Sequence, residues 1–120
     1  MSQHREIPAG RLDGHCFYPF DPEQSPTQIE RAVCRRRGAA TELAIEFTEE
    51  GDRWSLSLKN DQGRSFKGDF ATHGGDPYPV ELELWVPPGD DEWLLLGKYY
   101  GDGGWESWAV CLYLLPAEHP

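Results

Sequence analysis

A chain of 120 residues with 38% hydrophobic, 27% charged and 12% aromatic side chains has the composition of a single core-forming domain. Its uninterrupted apolar runs, such as Leu94 to Leu96, are far shorter than the roughly 20 residues a membrane-spanning helix needs. Twenty-one Asp and Glu against eleven Lys and Arg leave a net charge of −10, which repels phosphate backbones and argues against direct nucleic-acid binding.

The charge is unevenly spread. Residues 1–40 carry six basic and five acidic side chains, net +1, whereas residues 41–120 carry five basic and sixteen acidic, net −11. Residues 1–10 are polar, with Pro8 and Gly10, and predict a flexible N-terminal arm ahead of a single domain over 11–120. They hold no apolar run, so no secretory leader is expected and a cytoplasmic location is the expectation. Cys16, Cys34 and Cys111 are scattered, form no C-x-x-C pair and suit a reducing compartment, and no metal or other cofactor is expected.

In residues 11–20, Leu12, Gly14, Cys16 and Tyr18 alternate with Asp13, His15, Phe17 and Pro19, which predicts a first strand. Ser25, Pro26 and Gln28 then form an S-x-x-Q capping box with proline at the first helical position, and predict a helix over 26–37. Ile29, Ala32, Val33 and the stem of Arg36 supply its apolar stripe, Arg35 to Arg37 suit the negative end of its dipole, and Gly38 stops it. The three arginines are expected to meet the protein's own acidic sheet.

From Thr41 the apolar period drops to two. Leu43, Ile45 and Phe47; Trp54, Leu56 and Leu58; Phe66, Gly68 and Phe70; and Val80, Leu82 and Leu84 each mark one face of a strand whose other face is polar. Residues 92–100 and 105–115 are the last two strands, joined across Gly101 to Gly104, and both are apolar on both faces. Such strands need a covering layer, from the helix, the N-terminal strand or a second copy in a homodimer. Short turns make all neighbours antiparallel. The predicted fold is therefore α+β, mainly antiparallel β: an N-terminal strand and one helix, then a six-stranded meander forming a twisted sheet or partly open barrel.

Seven of the fifteen aromatic residues lie between Trp85 and Tyr113. Glu81, Glu83 and Trp85 share one strand face, Asp90 and Asp91 extend the acidic rim, and Trp105 and Trp108 adjoin the glycine-rich turn. Aromatic anchors with an acidic rim suit a basic or amphipathic protein partner, so these seven residues are the candidate partner-binding set. No catalytic set accompanies them: His73 lacks a nucleophile, and Gly101 to Gly104 lacks the helix and Lys-Ser/Thr ending of a phosphate loop. The leading expectation is a small acidic, non-catalytic binding module, inhibitor-, immunity- or adaptor-like. The alternative is a β-barrel carrier of a small apolar ligand, its interior lined by Trp54, Phe66, Phe70, Trp93 and Trp105. A small hydrolase using Glu81 and Glu83, about 7 Å apart on alternate positions, ranks third.

Overall fold

The computed structural model describes residues 7–19, 23, 25–49, 51–60, 64–72, 74–85, 92–101 and 103–114. It contains eight strands: β1 (Gly10–Phe17), β2 (Thr27–Arg37), β3 (Ala40–Glu49), β4 (Asp52–Asn60), β5 (Ser65–Thr72), β6 (Tyr78–Trp85), β7 (Glu92–Gly101) and β8 (Gly104–Leu114). Each pairs antiparallel with its sequence neighbours, and β1 pairs with β8 from Leu12↔Leu114 to Phe17↔Ala109, closing an up-and-down barrel. This corrects the α+β expectation. There is no helix among the described residues, and the six-stranded meander is six-eighths of a closed barrel.

The residues expected to form a helix are strand β2. A β-bulge between Ile29 and Arg31 sends Glu30 and Arg31 to the same outer side. Two inward residues, Ile29 and Ala32, are thereby three apart, which imitates the i, i+3 spacing of a helix; Ala32 and Cys34 then resume the period of two. Gly38, at φ +63°, opens a two-residue hairpin turn into β3 where a helix stop was expected. Closure decides the outcome. As a strand, β2 satisfies backbone groups on both β1 and β3, whereas a helix would leave two open edges.

Inward-facing residues form one core, with Leu95, Val110 and Leu112 fully buried and Leu43, Ile45, Leu56, Leu58 and Val80 nearly so. An eight-stranded barrel is just wide enough for side chains to fill it. Most outward positions on β3 to β6 are polar, among them Glu42, Ser57, Lys67 and Glu83. That is the reverse of the apolar-out, polar-in arrangement of a membrane-spanning barrel.

One end of the barrel is sealed by a residue from the stretch read as an arm. Ile7 is 1% exposed and belongs to the core, and its carbonyl accepts hydrogen bonds from Arg36 Nη2 at 2.7 Å and Cys34 Sγ at 3.7 Å. Arg37 ion-pairs with Glu42 at 3.1 Å, so part of the arginine run does meet the acidic sheet. Among the described residues no layer covers the doubly apolar β7 and β8. Their outward Ala109 and Cys111 are small and buried between larger neighbours on β7 and β1, namely Leu94, Leu96, His15 and Phe17.

Candidate functional site

At the end opposite Ile7 the barrel is not filled. The odd strands finish there and the even strands begin, and the positions continuing the inward period carry Tyr18, Thr27, Glu49, Trp54, Tyr78, Tyr99 and Glu106. These residues surround an open cavity of about 1170 Å³. Its floor is a cluster of aromatic rings centred on Phe70. Trp108 stacks on Phe70 at 5.3 Å with a 21° angle, Tyr99 meets it edge-on at 4.9 Å, and Trp54 and Tyr78 lie at 5.0 and 5.3 Å. Phe47 completes the floor, 6.0 Å from Trp108.

Polar groups ring the mouth. Thr27 Oγ1 donates to Glu49 Oε1 at 2.8 Å and Tyr18 Oη to Glu49 Oε2 at 3.2 Å. Tyr99 Oη donates a short hydrogen bond to Glu106 Oε2, and the Tyr18 and Tyr99 hydroxyls interact with each other. A chain of groups thus runs from Thr27 through Glu49, Tyr18 and Tyr99 to Glu106, linking β2 and β3 with β7 and β8. Glu30, farther out, accepts from Thr48 at 2.6 Å and pairs with Arg53 at 3.6 Å.

Partial burial of the phenols disfavours their anions, and the carboxylates add to that. Burial first, then the charge of Glu49, pushes Tyr18 up to about 12. Burial and the hydrogen bond to Glu106 push Tyr99 higher still. Cys16, deeper in the wall, is also pushed well up by burial, with Glu49 adding to it. The unfolded chain releases a phenol proton near pH 10. The fold retains it, so this contribution to stability is whole below about pH 10 and is lost as pH rises through the folded values. We expect the urea midpoint to fall between about pH 9 and about pH 12, and part of that fall to be absent in Tyr18→Phe and Tyr99→Phe. Equal pH dependence in wild type and both variants would show that these phenols are not held protonated by the mouth.

Of the seven residues expected to bind a partner, the five that are described are not brought together. Glu81, Glu83 and Trp85 do form an exposed row on the outside of β6, with Trp85 50% exposed. Trp105, 47% exposed, lies on the outside of β8 at the mouth end, under Lys98 Nζ at 4.6 Å and against Tyr100 at 5.3 Å. Through the register Trp85↔Leu94 and Trp105↔Tyr100, the two tryptophans are six residues apart along β7, roughly 20 Å. Trp108 is inside the barrel, 2% exposed. Asp90, Asp91 and His73 lie outside the described residues.

Of the five residues expected to line a ligand-carrying interior, Trp54 and Phe70 do line the cavity. Phe66 and Trp93 are buried in the packed half and Trp105 points outward. The sequence reading missed Tyr18, Glu49, Tyr99 and Glu106 as a group. The signal was present: Glu106 continues the parity of Trp108, Val110 and Leu112, and Glu49 that of Ile45 and Phe47. A carboxylate on an inward position marks where the packed core stops.

No protein-family model matches the chain, and no curated protein does. Among solved structures it is similar to a redesigned beta barrel, with a TM-score of 0.63 and 12% identity over 90% of this chain and 91% of that one. At that identity the likeness concerns the fold, and what it supports is a small antiparallel β-barrel.

Proposed function

We propose that the protein is a non-catalytic carrier or sensor of a small ligand, bound in the open end of the barrel with its apolar body on the Phe70-centred ring cluster. One observation carries the reading: half of the barrel is packed solid while the other half holds about 1170 Å³ above six aromatic side chains. Ligand sites commonly occupy about 300–1,000 Å³, are lined by apolar and aromatic groups with a few polar ones at the edge, and occur in the mouths of barrels. Side chains that already touch one another, as these rings do, give a floor that needs little reordering on binding.

The test is an amide and indole NMR titration of the chain with 2-(1-naphthyl)ethanol, a neutral bicyclic aromatic. We expect saturable shifts at Thr27, Phe47, Tyr99 and the Trp54 and Trp108 indoles, and weaker binding in Phe70→Ala. Absence of saturable shifts at the mouth would overturn the proposal. A second reading, docking of a basic protein along Glu81, Glu83 and Trp85, is favoured by the exposure of that row on one strand. Binding to a basic partner that is unchanged between about 0.05 and about 0.5 M salt would count against it.

A further inference from the structure

The carboxylates of this protein fall into two classes. On the outer face and at the outer rim of the cavity, cations are available: Arg53 pairs with Glu46 at 3.1 Å and with the rim residue Glu30 at 3.6 Å, Arg37 pairs with Glu42 at 3.1 Å, and Lys98 stands opposite Glu81 in the register. Inside the mouth the situation differs. No Lys, Arg or His lines the cavity among the described residues, and no described cation pairs with Glu49 or Glu106.

Among the described residues both carboxylates are served by hydroxyl donors alone. Glu49 accepts from Thr27 and Tyr18, and Glu106 from Tyr99. An ionised carboxylate has about four acceptor positions, so each retains room for further N–H donors. The donors that are present do not neutralise it, because a phenol that keeps its proton remains uncharged. The wall below is aromatic, and ring faces attract a cation by their quadrupole. A metal ion is the weaker fit, since no three His, Cys, Asp or Glu groups gather as ligands among the described residues and the floor is apolar.

We propose that the cup selects an organic cation, a primary ammonium on an aromatic or alkyl body, with the body on the Phe70 cluster and the ammonium at Glu49 and Glu106. This rests on the cup being a ligand site. An ammonium supplies three donors and a positive charge, which match the open acceptor positions and the counterion that the described residues do not supply.

Three probes of nearly one shape separate the possibilities: 2-(1-naphthyl)ethylammonium, 2-(1-naphthyl)ethanol and 3-(1-naphthyl)propionate, titrated by NMR against wild type and the double variant Glu49→Gln/Glu106→Gln. The expected order in wild type is ammonium tighter than alcohol by about tenfold or more, with propionate weakest. In the double variant the ammonium should lose its advantage, the two affinities coming within about twofold of each other, while saturable alcohol shifts at the Trp54 and Trp108 indoles report an intact cup. Equal affinities of ammonium and alcohol in wild type would overturn the cation preference and leave the cup standing. Tighter binding of propionate would also overturn it. Failure of both the ammonium and the alcohol to shift the mouth would remove the cup and the preference together.

Discussion

Gly68→Ala is expected to lower stability by about 2–4 kcal/mol, a large part of the roughly 5–15 kcal/mol that holds an ordinary domain together. A Cβ at position 68 would stand 1.7 Å from the Ser57 carbonyl oxygen and 3.0 Å from Leu58 Cα, so β4 and β5 would have to move apart. Gly97 is placed similarly, with a Cβ 2.0 Å from the Glu81 oxygen and 2.8 Å from Leu82 Cα. Both glycines are at inward positions on strands that flank β6, where the sheet turns sharply to close. Gly103→Ala provides the contrast: its φ is +85° but nothing lies within 4 Å, so the change strains only its own backbone, by about 1–2 kcal/mol. Urea denaturation of the three variants checks the order. If Gly68→Ala and Gly103→Ala had the same midpoint, close strand approach at residue 68 would not be a condition of closure.

Trp108→Ala should cost about 3–5 kcal/mol, because the side chain is 2% exposed and its loss leaves a space beside Phe70 that the rigid barrel wall cannot collapse to fill. The vacated space adjoins the open cavity, which would deepen and lose one ring of its floor. Ligand affinity and stability should therefore fall together, whereas Trp108→Phe should retain most of both. The same measurement bears on the earlier expectation that Trp108 is a partner contact. A variant with an unchanged urea midpoint would return Trp108 to the surface and contradict its place in the core.

Much of the wall was legible from residue 40 onward. Leu43, Ile45 and Phe47, or Leu82 and Leu84, alternate with Glu and Ala because a strand sends successive side chains to opposite faces, and one face here meets water. Those residues are buried as the period of two requires. The first strand was legible too, as β1, whereas residues 26–37 were misread for a local reason. A single bulge near Ile29 replaces a spacing of two by a spacing of three, and the capping-box residues Ser25 to Gln28 offer a helix the same local bonds. Nothing inside residues 25–37 themselves distinguishes the alternatives, since the deciding interactions are the ladders of β2 to β1 and β3.

The amino-acid sequence by itself determined the alternation, the positions of the turns, the acidic balance and the inward parity of Glu49 and Glu106. Only the tertiary structure decided that β1 meets β8, and this sets which strand ends come together. That closure seals one end with Ile7, packs Phe66 and Trp93 out of reach, and gathers Tyr18, just past the end of β1, with Glu49, Tyr99 and Glu106 of β3, β7 and β8 around one mouth. The physical reason is range. Periodicity is set by neighbours a few residues apart, whereas a barrel end is set by pairing between residues about a hundred positions apart, such as Cys16 and Val110.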